Sequence, residues 1–158
     1  MFNWQDKERL EENAAAVLGR ILWETGSLEA GLGLVLAWSR GGAELDSLTK
    51  EVEPLGFNGR LKLLERIVAA CEREPSTTLA YSNWLQDAHA LRMRRNSFVH
   101  GRWAVTGDGM IVNVVGLMTS PDQVETRYSL TELEAILAEI LELHQRLRQL
   151  HTNMGLGP

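Results

Sequence analysis

Arg95-Asn96-Ser97-Phe98-Val99-His100-Gly101 is the stretch at which this chain changes its structural period. Upstream, Trp84, Ala88, Leu91 and Phe98 fall within one narrow arc at about 100° per residue, which predicts a long helix from Leu79 to about His100. Gly101 then stands where a left-handed helix stop is expected. Downstream the pattern alternates. Trp103-Ala104-Val105 and Met110-Ile111-Val112-Asn113-Val114-Val115 flank Gly107-Asp108-Gly109, and Asp-Gly between apolar runs is a strong hairpin signal. Two strands alone are marginal in water, so this hairpin must pack on the helices.

Working outward, Leu10, Ala14, Val17, Leu18, Ile21 and Leu22 recur at helical spacing. Gly26 reads as the stop of that first helix and Ser27 as the cap of the next. Leu28, Leu32, Val35 and Leu36 mark a second helix, apolar nearly all round. Gly31 and Gly33 inside it suggest a close helix contact, within the monomer or across a dimer, and Gly41-Gly42 ends it. A short helix from Asp46 to Val52 stops at Pro54. Asn58 is the expected cap of a helix to about Glu72 that turns Leu61, Leu64, Ile67 and Val68 inward. Pro75 breaks it, and Ser76 can cap the motif helix.

Beyond the hairpin, Pro121 and Asp122 mark a loop. Ser129-x-x-Glu132 and Thr131-x-x-Glu134 are overlapping capping boxes for a last helix carrying Leu133, Ile136, Leu137, Ile140, Leu141, His144 and Leu147. The tail, Asn153 to Pro158, is expected to fray. The expected fold class is all-α: a four-to-five-helix up-down bundle with one inserted β-hairpin, in a single domain over 1–158.

The chain has 158 residues, 44% of them hydrophobic, enough for one ordinary domain with a full core. A net charge of -5 and a pI near 5.4 argue against a surface that binds nucleic acid everywhere. Arg92, Arg94, Arg95 and Arg102 nevertheless make a local basic patch. The lone Cys71 follows Ile67, Val68 and Ala70 and reads as a buried small hydrophobe. Core packing accounts for most of the five tryptophans, with Trp38 and Trp103 as candidates to stack a base. His144 sits in an apolar stripe and reads as a core histidine. No His/Cys/Asp/Glu group has metal-ligand spacing, and no cofactor is expected. The start has no signal-peptide shape, and the run from Leu28 to Trp38 is too short to span a membrane. The expected location is therefore cytoplasmic, with no membrane partner.

Arg95 lies in the middle of the apolar arc of its helix, where an arginine needs a reason. It pairs with a carboxylate such as Glu24, Glu29 or a glutamate of the last helix, or it snorkels, or it lines a recess between subunits. Asn96 and His100 are four apart and neighbours, on a polar stripe with His89. Arginine can hold phosphate charge through two parallel hydrogen bonds, and histidine can move a proton near neutral pH. On an ideal helix Arg95 and His100 point about 140° apart, so a two-fold dimer is the economical way to bring them together. The bare spacing Arg-x4-His is weak: with 13 Arg and 4 His, chance yields roughly 0.3 matches. Arg146 and His151 are a second, accidental match.

The fuller pattern, Arg-Asn-x3-His-Gly at the end of a bundle helix, resembles the HEPN superfamily. The order upstream is similar too: an apolar helix, a short connecting helix, a helix opening Phe57-Asn58-Gly59-Arg60-Leu61-Lys62-Leu63-Leu64, then the motif helix. The likeness loosely covers Ser27 to Trp103, and the last helix completes the bundle. It implies an all-α, dimeric domain of a kind that includes metal-independent ribonucleases of toxin–antitoxin, abortive-infection and defence systems. By the same resemblance Arg95 is the phosphate-binding arginine, Asn96 the polar motif residue and His100 the catalytic histidine. Arg92, Arg94, Arg102 and Trp103 are the candidate RNA contacts. The implied partners are a second copy, an RNA substrate and an antitoxin or other partner protein. The alternative is a non-catalytic dimeric interaction module of a defence or regulatory system.

Overall fold

The computed structural model describes residues 3–153. Its element order is α1 (Trp4–Ala37), α2 (Leu45–Val52), α3 (Phe57–Ala70), α4 (Pro75–His100), β1 (Arg102–Val105), β2 (Ile111–Val115), β3 (Val124–Tyr128) and α5 (Leu130–Asn153). The fold is thus mostly helical with a small antiparallel sheet of order β1-β2-β3. The tail expected to fray lies, beyond Asn153, outside the described residues.

The expected break at Gly26-Ser27 does not occur, because α1 is one helix of 34 residues. Ile21, Thr25, Leu28, Leu32 and Leu36 are all buried, and their spacing stays in phase straight through Gly26. An isolated glycine costs a helix about 1 kcal/mol, which a continuous packed stripe outweighs. The helix ends at Ala37, before the expected stop at Gly41-Gly42, which lie in the turn that follows, both at positive φ.

Two other caps differ from expectation. Asn58 lies inside α3, whose N-cap is Gly56 with no side-chain bond. Pro75 begins α4 instead of merely ending what precedes it, with Thr78 N–H donating to Glu74 O at 3.1 Å and Ser76 already helical. A proline at the first helical position loses nothing, since its missing N–H has no partner there in any case. The box at Ser129 forms as expected: Ser129 N–H donates to Glu132 Oε2 at 2.6 Å, and Glu132 N–H donates to Ser129 Oγ at 3.2 Å. The overlapping box does not form as a cap, for Thr131 is already within α5.

The chain divides into two compact units, and α1, α4 and α5 each contribute to both. The first holds residues 3–24 and 93–140. Its core is Ala14, Ile21, Phe98, Val105, Ile111, Val112, Leu133, Ile136 and Ile140, with Asn113 buried among them. β1 pairs with β2 from Arg102↔Val114 to Val105↔Ile111 across the expected turn, where Gly109 has φ 77. The third strand went unread because four of its five residues are exposed, so Val124-Glu125-Thr126-Arg127-Tyr128 shows no apolar alternation.

The second unit holds residues 25–92 and 141–153. Leu28, Leu32, Leu61, Leu64, Tyr81, Trp84, Leu91, Leu143 and Leu147 form its core. The polar tips of its buried Trp84 and Tyr81 are satisfied by carbonyls of α5: Trp84 Nε1 donates to Leu143 O at 3.0 Å and Tyr81 Oη to Leu150 O at 3.3 Å. Burial holds the Tyr81 phenol above its ordinary range, opposed by Arg73. Gly33 has its close contact inside the monomer, where an added Cβ would lie 2.8 Å from Arg60 Nη1, while Gly31 faces open space. Cys71, expected inside, is exposed: it sits just past α3, where the helical phase that would have buried it has ended.

Candidate functional site at the end of the motif helix

Arg95, Asn96 and His100 all lie in the last turns of α4, within the first unit. The helix stays regular to its end, with Gly101 N–H donating to Ser97 O at 2.9 Å. Arg95 and His100 of one chain therefore leave the helix in divergent directions, as ideal geometry requires.

Arg95 is half-buried, and its one hydrogen bond is a long one, Nη1 to Asn96 Oδ1 at 3.4 Å. Among the described residues it has no carboxylate partner. Of the acids considered for it, Glu24 pairs with Arg20 at 2.8 Å and Glu139 of α5 with Arg94 at 2.9 Å. A guanidinium part-way out of water and not neutralised by a carboxylate can receive an anion through paired hydrogen bonds. Asn96 is half-buried beside it, and His100 is exposed at the helix terminus. Met93 and Val99, 58% and 45% exposed, surround the two polar motif residues with apolar surface.

The candidate RNA contacts have unequal freedom. Arg94 is neutralised by Glu139. Arg102 donates to Gly116 O at 2.9 Å and Gln123 Oε1 at 2.5 Å, which ties down the β2–β3 turn but leaves its charge uncompensated. Arg92 is half-buried in the second unit. Trp103 is half-buried, its ring edge-on to Phe98 at 5.1 Å and tilted against Tyr128 at 5.9 Å, and its Nε1 donates to Phe98 O at 3.0 Å. Its remaining surface walls an open, mostly apolar groove of about 340 Å³ with Ala14, Ala15, Leu18, Val105 and Ile111. Burial raises the Tyr128 phenol above its ordinary range, opposed by Arg94 and reinforced by Glu132.

Two residues of this region were not read from the sequence. Tyr128 completes the aromatic cluster from the unread strand. Asn113 is 1% exposed in the middle of β2. In the amide orientation that satisfies both neighbours, its nitrogen donates to Ser97 O and its oxygen accepts from Trp103 Nε1, each at 3.2 Å. A lone asparagine inside Ile111-Val112-x-Val114-Val115 was the available signal, since asparagine is depleted in strands and costly to bury unpaired. Gly101 also has a different role from the one expected. It is not among the residues at positive φ. Instead, an added Cβ would collide with the Asn113 amide.

Among the described residues no group of three or more His, Cys, Asp or Glu is placed to hold a metal ion, and no helix is long and apolar enough to cross a membrane. Comparison with models of protein families, with curated proteins and with solved structures returns no match to this chain.

Proposed function

We propose that this chain is a HEPN-like domain that cleaves single-stranded RNA as a homodimer, without a metal ion. The observation that carries the reading is the half-buried, carboxylate-free Arg95 next to Asn96, one turn before an exposed histidine. In the proposed reaction a ribose 2′-hydroxyl gives its proton to His100 and attacks the adjacent phosphorus. Arg95 holds the non-bridging oxygens, where charge develops, and Asn96 orients the phosphate. The bond to the 5′-oxygen breaks, that oxygen takes a proton from the second His100 of the dimer, and a 2′,3′-cyclic phosphate remains. DNA lacks the attacking hydroxyl and is spared.

The divergence of Arg95 and His100 on one helix supports a site completed by a second copy. So does the apolar rim at Met93 and Val99. α1 offers a further exposed, uncharged face through Gly19, Trp23, Gly26 and Leu34, with nothing near either glycine. That face equally favours the second reading, a non-catalytic module that binds a partner protein such as an antitoxin.

Purified protein should cleave single-stranded RNA in EDTA and leave 2′,3′-cyclic ends. Arg95→Ala and His100→Ala should each slow it about 100-fold or more. His151→Ala, in the accidental match, should leave the rate unchanged. If wild type and His100→Ala are equally inert on diverse RNAs, the interaction-module reading replaces this one.

A further inference from the structure

We infer that Asn113 is a positioning residue for His100, an inference that rests on the ribonuclease reading. A primary amide at the centre of an apolar strand costs free energy unless both its ends are bonded. Both partners of Asn113 belong to the segment that carries His100. Ser97 O lies three residues before the histidine and Trp103 Nε1 three residues after it. Between them Gly101 passes so close that the amide fills the space of its missing Cβ, whose ideal position is 2.6 Å from Asn113 Cγ. The chain from 97 to 103 is therefore wrapped around one buried side chain.

Each contact constrains a different part of that wrap. Ser97 O already accepts Gly101 N–H at 2.9 Å, and the amide adds a second donor to the same carbonyl, holding the last helical turn closed. The single Trp103 indole N–H is shared between Phe98 O and the amide oxygen, which fixes the ring from the other side. Asn113 itself is held in the central strand, opposite Trp103 in β1 and Thr126 in β3. The His100 side chain has no hydrogen-bond partner among the described residues. The backbone on either side of it is what aims its Cα–Cβ bond, and Asn113 bonds that backbone at Ser97 O before the histidine and the Trp103 side chain after it. Arg95, a turn and a half earlier on a regular helix, does not depend on the amide for its direction.

This separation gives the test. Asn113→Leu keeps the branched outline but removes both bonds, and Asn113→Thr keeps a hydroxyl too short to reach both partners. Each should lower kcat by about 10- to 100-fold, the scale of a displaced catalytic group, with KM for RNA within about twofold because the phosphate grip survives. Gly101→Ala should act alike from the opposite side. In thermal unfolding, Gly101→Ala should lower Tm far less in an Asn113→Ala background than alone, since the lost amide makes room for the new Cβ. Asn113→Thr, the more strand-compatible change, serves if the leucine variant fails to fold. Variants that lose Tm yet keep wild-type kcat would show a merely structural amide and overturn the inference while leaving the ribonuclease intact. Additive Tm losses for Gly101→Ala and Asn113→Ala would overturn it too. A wild type inert on RNA removes the ribonuclease reading and, with it, this role.

Discussion

Gly101 shows how much a residue's neighbours decide. The sequence offers it as a left-handed stop, while the structure uses it as a gap for the Asn113 amide. The same holds at Cys71, where helical phase pointed inward but the helix ends one residue earlier. A thiol-specific reagent should therefore label one sulfur per native chain at a rate close to that of a free thiol, and Cys71→Ser should leave Tm unchanged; labelling only after denaturation would contradict the exposed position. Arg94 and Arg95, adjacent in sequence, differ in the same way. Glu139 neutralises the first, and among the described residues no carboxylate neutralises the second. Arg94→Ala should therefore weaken RNA binding less than Arg95→Ala in titrations at matched salt.

Elements respond to phase and to caps. α1 runs through Gly26 because its buried stripe does, and an added Cβ at 26 meets nothing. Gly26→Ala should stabilise the monomer by about 1 kcal/mol in denaturant titrations, whereas Gly33→Ala should destabilise it by displacing Arg60. At α5, loss of the Ser129 hydroxyl should cost about 1 kcal/mol. Hydrogen bonds from the backbone and side chain of Ser129 hold Glu132 below its ordinary carboxyl range, and a bond from Thr106, aided by Arg127, does the same for Asp108. Because both values are depressed in the folded state, their stabilisation is complete above the ordinary values of 4.5 and 3.8 and is lost as pH falls below them. Tm measured from pH 6 down to pH 2 should fall more gently in Ser129→Ala, since Glu132 then titrates closer to its unfolded value. β3 shows the converse of α1: a strand exposed on both faces has no pattern to read, and only hydrogen bonding to β2 defines it.

At the scale of the whole molecule, the exposed face of α1 and the apolar rim of the motif helix bear on assembly. Light scattering should give a dimer at micromolar concentration, and Trp23→Glu, at a side chain 72% exposed in the monomer, should weaken it without lowering monomer stability. A monomeric wild type would leave Arg95 and His100 without their cross-subunit partners and count against the proposed reaction. The helix end at His100, the hairpin turn, the Ser129 box and most of the helical core were legible in the sequence, because each rests on local spacing: 3.6 residues per helical turn, two per strand, three across a cap. The continuity of α1 was legible in principle, as a phase that never breaks, but a local glycine signal masked it. The carboxylate-free state of Arg95, the exposure of Cys71, the third strand and the junction of Asn113 with Gly101 were not legible. Each depends on which distant residue occupies the adjacent space, and that is decided only when strands and helices far apart in the chain pack together.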